Sequence, residues 1–288
     1  MPYFDAMDGR TGLVDANAVR EKGTELAADY AAAAPFPNIV IDDFLPPDVL
    51  DMVLEEFAGA RDVMPAGDFD RSQERFKASF SPDVLPERLR NLFYSFNSKP
   101  FIRVLENITG IKGLIPDPYF MGAGIHEIRQ GGHLSIHADF NHHKPMNLER
   151  RINVLIYLNK DWQPEYGGQL ELWDTEMTKR EHSIVPLFNR CVIFNTTSNS
   201  QHGNPNVIDH PRGITRKSIA LYYYTSTWDG TKRSHTTQFQ VRPGTADRRD
   251  SEVQRSELLN DWLPPAVMRN YLRARRRIGK LVRRQPSA

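Results

Sequence analysis

From residue 120 onward, apolar residues recur in short runs, at 121–128, 133–139, 152–158, 169–173, 183–186, 190–195 and 217–226. Several of these runs close on Gly or Asn-rich turns, the punctuation expected of strands. Seven short strands packed this closely predict a two-sheet barrel of the jelly-roll type. Upstream the period changes. Residues 1–34 read as a helical lead-in that ends at Pro35 and Pro37, and Asn38–Phe44 reads as a strand. Pro46, Pro47 and Asp48 then open a helix whose apolar residues Val49, Leu50, Val53, Leu54 and Phe57 share one face. Residues 61–82 are polar and read as irregular, and two more helices are predicted at 86–96 and 99–109. The pattern therefore predicts a mainly β protein with helical additions. It divides into an N-terminal support region (1–119), a double-stranded β-helix core (120–228) and a C-terminal extension (229–288).

Composition changes this picture little. Hydrophobic residues make up 40% of the 288 and charged residues 25%, as in soluble globular proteins. No apolar run reaches the ~20 residues of a membrane span. The acidic N-terminal stretch does not read as a secretory signal. The single cysteine, Cys191, excludes an intrachain disulfide and lies in an apolar run; a reducing cytoplasm is the expected setting. Charge adds one feature. The net charge is +1, yet after Asp261 there are eight basic residues and no acid, leaving 29 basic against 36 acidic residues in the rest. The tail from Pro264 predicts a basic amphipathic helix. It either packs on the chain's own acidic body, the reading favoured here, or meets a membrane surface or acidic partner.

The candidate chemistry sits in the strand-rich half. His137 and Asp139 are two apart, so on a strand they face the same side. His202 follows 65 residues later, far enough to return on another strand. Two imidazoles and a carboxylate on one face of a divalent metal are the ligand set of a non-haem Fe(II) site with open positions. Downstream, Arg216, Ser218, Ala220 and Tyr222 alternate onto one face of a strand, and an inward Arg there suits a carboxylate.

Longer segments carry a resemblance. They are Gly131–Asp139, Arg151–Trp162, Gly167–Trp173, Pro186–Phe194, Ser200–Gly203 and Arg216–Tyr223. In order and spacing over 120–226 they resemble the iron(II)/2-oxoglutarate-dependent dioxygenases, in the prolyl-4-hydroxylase-like branch. The resemblance implies Fe(II) on His137, Asp139 and His202, with 2-oxoglutarate and O2 as co-substrates and ascorbate as a reductant. Arg216 and Tyr157 would hold the distal carboxylate of 2-oxoglutarate, and Asn153 and Leu170 would line its pocket. Arg150 matches a position that meets substrate, and Asn141 and Trp173 are further substrate candidates. Two departures stand out. The branch's tyrosine nine or ten residues before the first His is replaced by Ile128 and Glu127, and Arg216 follows His202 at 14 residues, which leaves Arg212 as a lesser alternative.

The resemblance implies a hydroxylase that releases succinate and CO2, and the retained Asp139 argues against halogenation. The basic 140–150 segment suits a small amino-acid-like or anionic substrate; a prolyl peptide is the alternative. A silent binding module of the same fold and a metal hydrolase or isomerase on a cupin-like barrel are the competing classes. Nucleic acid is not an expected partner, because Tyr222 stands where the demethylases of the superfamily carry a second Arg.

Overall fold

A computed structural model describes residues 1–8, 11–60, 64–229 and 231–247. The basic helix expected in the tail lies, from Arg248 on, outside the described residues.

The described strands, in chain order, are β1 (Asn38–Ile41), β2 (Gly67–Arg71), β3 (Glu74–Phe80), β4 (Ile115–Pro116), β5 (Gly124–Ala138), β6 (His142–His143) and β7 (Leu148–Tyr157). They continue as β8 (Leu170–Trp173), β9 (Arg180–Ile184), β10 (Cys191–Asn195), β11 (Gln201–Asn204), β12 (Arg216–Thr225) and β13 (Gln238–Phe239). All pair antiparallel into one curled sheet of order β1-β10-β7-β12-β5-β11-β8-β9. This is the jelly-roll architecture anticipated from the strand spacing.

The strand β5 is the hinge of the barrel. Its first half, Gly124–Ile128, pairs with β12, and its second half pairs with β11 through Leu134 and His137. The two runs read from the sequence at 121–128 and 133–139 are thus parts of one strand, which passes from one side of the curled sheet to the other. Gly131 and Gly132 sit at the crossing. A Cβ on Gly132 would stand 2.6 Å from the Arg75 carbonyl oxygen and 2.8 Å from that of Arg129, so the backbones can meet there only without a side chain.

Alternation sorts the faces of the central strands. Ile152, Val154 and Ile156 of β7 and Ile219, Leu221 and Tyr223 of β12 point outward into the main core. The helices α3 (Glu87–Phe96) and α4 (Lys99–Thr109) cover that face; α1 (Ala27–Ala32) and α2 (Pro47–Gly59) complete the support. On α4 the buried residues are Phe101, Val104, Leu105 and Ile108, the i, i+3, i+4, i+7 stripe of a one-sided helix. The helix ends at Gly110, whose φ of 70° is the left-handed stop that glycine supplies. The opposite faces of β7 and β12 turn Asn153, Leu155, Arg216 and Ser218 into the barrel, where they line its cavity.

One region differs from the expectation. Residues 67–80, read as irregular, form the hairpin β2–β3, which pairs with β5 along Arg75↔His133 and Lys77↔Ile128. Within Glu74–Phe80 a bulge between Arg75 and Lys77 breaks the alternation and brings the charged Glu74 and Lys77 to the cavity side, where they pair at 2.8 Å. The N-terminal region therefore shares the sheet of the core instead of only bracing it.

Candidate metal centre

The strands β5 and β11 bring His137 and His202 directly opposite each other in register, with ring centroids 4.5 Å apart. Asp139 follows on the same side. The His137 Nε2 lies 3.6 Å from one Asp139 oxygen and the His202 Nε2 lies 3.3 Å from the other. All three donor atoms fall within 4.8 Å of one another.

The hydrogen bonds fix which nitrogen is free. His137 Nδ1 is 2.9 Å from the Ser135 carbonyl oxygen, and His202 Nδ1 is 2.9 Å from that of Ser200. A carbonyl only accepts, so each Nδ1 carries the proton and each Nε2 presents a lone pair to the centre. Burial holds His137 below the usual imidazole range, which keeps the ring neutral. Two lone pairs and a carboxylate facing each other repel unless a cation stands between them. The donor set therefore fits a divalent metal such as Fe(II).

Asp139 is held from behind. Burial alone would raise its carboxyl, but the Arg150 guanidinium outweighs that and holds it well below the usual carboxylate range. Arg150 Nη2 lies 2.9 Å from Asp139 Oδ2, and Asn153 donates to the same oxygen at 2.8 Å. Arg150 in turn donates to Asn153 Oδ1 at 2.7 Å and stacks over the Tyr222 ring at 3.6 Å. Arg150 was expected to meet substrate and Asn153 to line the co-substrate pocket. Both line the cavity, and both also brace the metal-facing carboxylate. The sequence held a partial signal: an Arg at a buried position of an apolar strand needs a buried acid.

At the other end of the cavity stands Arg216, 4% exposed. Its Nε donates to the Gly168 carbonyl at 2.8 Å, and its guanidinium lies 4.9 Å from the Tyr157 ring centroid. A Cβ on Gly168 would sit 2.8 Å from Arg216 Cδ, so the glycine gives the arginine its room. Among the described residues Arg216 forms no ion pair, and the Tyr157 hydroxyl is buried without a partner. A buried guanidinium in the cavity wall with no carboxylate of its own fits an incoming carboxylate; Tyr157, beside it, is not among the residues that line the cavity. Arg212, the alternative, is exposed. Ile128, at the place of the branch's tyrosine, stands in register between Lys77 of β3 and Arg216 of β12. His126 lies in the same wall and is pushed down to about 3 by burial and by Lys77, so it is a neutral ring there.

Between these ends lies a cavity of about 220 Å³, walled also by Leu170, Phe239 and the hairpin residues Phe69, Arg71, Glu74 and Lys77. The hairpin contribution is what reading the sequence missed. Asn141 lies outside this cavity and lines a second one; its side chain joins the Arg233 carbonyl to the His235 amide. Trp173 lines neither of these two cavities, and its indole N–H donates to the buried Glu171 at 2.9 Å.

The chain is similar to known proteins. Residues 123–224 match the sequence profile of the 2OG-Fe(II) oxygenase superfamily. A stretch of 127 residues is 28% identical to the prolyl 3-hydroxylase OGFOD1 of Mus musculus; it covers 41% of this chain and 21% of that protein. The chain thus spans about a fifth of the length of the curated relative it matches. A prolyl hydroxylase of Trichoplax adhaerens, solved with a hypoxia inducible factor peptide fragment, shares the fold at a TM-score of 0.54 and 19% identity, over 74% of this chain and 94% of that one.

Proposed function

We propose that the protein is a 2-oxoglutarate-dependent hydroxylase, a reading supported by the match of residues 123–224 to the profile of the 2OG-Fe(II) oxygenase superfamily. In this reading His137, Asp139 and His202 hold Fe(II). When bound, that ion supplies the redox chemistry by which O2 and 2-oxoglutarate become succinate, CO2 and a hydroxylated substrate carbon.

The residues divide the remaining work. Ser135 and Ser200 fix both imidazoles in the tautomer that offers Nε2. Arg150 and Asn153 keep Asp139 ionised and hold its outer oxygen. Arg216 and Tyr157 receive the distal carboxylate, with Leu170 as apolar wall. The observation that carries this reading is the pairing, in one cavity, of the three-donor centre with a buried guanidinium that has no carboxylate among the described residues. Anaerobic addition of Fe(II) and then 2-oxoglutarate is expected to give a weak metal-to-ligand charge-transfer band that Arg216→Met weakens. Absence of the band from folded wild-type protein contradicts the reading.

For substrate, the basic rim at Arg150, Arg151 and Lys232 supports a small amino-acid-like or anionic molecule. The prolyl 3-hydroxylase relative and the peptide held by the structural neighbour support prolyl peptides as the second reading. Succinate release measured across amino acids, small acids and prolyl peptides separates them.

A further inference from the structure

A cavity of about 220 Å³ is below the ~300–1,000 Å³ of typical small-molecule sites. With a co-substrate seated against Arg216, no whole substrate fits beside it. A second cavity of about 670 Å³ adjoins it, and Arg150 lines both. Asn141, two residues beyond Asp139, is also in its wall.

Arg151, Lys232 and Arg233 line the second cavity together with Glu149 and with Arg150, whose own partner is Asp139. Glu149 is engaged by Lys232 at 2.7 Å. Arg151 donates to the Thr225 hydroxyl at 3.3 Å and forms no ion pair among the described residues. The Thr196 hydroxyl, on a residue 5% exposed, lines the same space with no hydrogen-bond partner. Trp228 completes a flat wall, stacked on His142 at 4.0 Å and 7°. An arginine with no ion pair among the described residues, an unpartnered buried hydroxyl and a planar wall form a receptor for an oxyanion on a compact body.

We propose that this second cavity seats the acidic group of a small substrate, a carboxylate or phosphate, on Arg151, Lys232 and Thr196. The substrate's reacting carbon then lies past Arg150, toward His137, Asp139 and His202. This deepens the hydroxylase reading and rests on it for the chemistry, whereas anion binding can be tested without metal.

The first measurement is titration of the metal-free protein with inorganic phosphate, followed by Trp fluorescence with Trp228→Phe as the control for the signal's origin. Saturation on the order of millimolar is expected. Lys232→Gln and Arg151→Gln should each weaken it about tenfold, the loss of one charged hydrogen bond. Glu149→Gln, which frees Lys232, should tighten it; a gain of affinity cannot come from misfolding. No saturation, or saturation indifferent to Lys232→Gln and Glu149→Gln, overturns the proposal. The second measurement is succinate release with free amino acids against their carboxamides. The acids are expected to drive turnover at least about tenfold better. Equal response to acids and amides, or turnover confined to an uncharged prolyl peptide, also overturns it. Loss of the Fe(II)–2-oxoglutarate band in wild type, with phosphate binding intact, contradicts the hydroxylase reading alone.

Discussion

Two buried arginines lie within one small cavity and are compensated in opposite ways. Arg150 faces Asp139 at 2.9 Å, whereas Arg216 has no carboxylate among the described residues. Their removal should therefore have opposite consequences. Arg150→Met leaves a buried carboxylate unpaired and is expected to destabilise the metal-free protein by about 3–5 kcal/mol in denaturant unfolding. Arg216→Met removes an uncompensated buried cation, so stability should hold or rise. The same variant should weaken 2-oxoglutarate binding by about 10- to 100-fold, the worth of charge-assisted hydrogen bonds of ~1.5–3 kcal/mol. His126 sets a pH dependence. Its folded value of about 3 lies below the ~6.5 of an unfolded histidine, so the unfolded chain binds the extra proton between them. Stability should be full above that upper value and fall as the pH drops toward the lower one, by up to about 1.4 kcal/mol per pH unit. Unfolding of wild type and His126→Gln at pH 7 and pH 5 checks this; the variant's slope should be shallower.

At the scale of elements, β5 holds the arrangement together and Gly132 is its narrowest point. Gly132→Ala brings a methyl against two carbonyl oxygens at 2.6 and 2.8 Å. Overpacking of this kind costs about 1–3 kcal/mol. The shift should also separate Leu134 and His137 from β11, so a raised Kd for metal should accompany the lowered Tm. The elements were unevenly legible in the sequence. Helices α3 and α4 declared themselves because one apolar stripe faces the core. The strands β7, β10 and β12 did so because both of their faces are buried. The nearness of His137 to Asp139 was legible through spacing, since a strand's period of two sets them on one side. The hairpin β2–β3 was hidden because its inward positions are charged, and their pairing exists only once Arg71, Glu74 and Lys77 meet. The role of Arg150 was hidden for the same reason: its acid partner lies just past the end of β5, 11 residues back in the chain.

For the whole molecule, an ion that binds only the folded barrel stabilises it by mass action. Metal-stripped protein given Mn(II), a redox-inert stand-in, at about 100 times Kd should gain about 2.7 kcal/mol of stability. Thermal unfolding should show the shift, and Asp139→Asn should remove most of it. The shared strand β5 has a temporal consequence as well. Its neighbours β11 and β12 are made 60 or more residues after it, so pairing must wait for distant chain to arrive, which places this topology among slow folders. A nascent or partly unfolded polypeptide holds no preformed cage for a cation. Loading with iron is therefore deferred until the last long-range pairing is made, and any stray thiophilic or borderline metal encountered earlier meets only scattered single ligands.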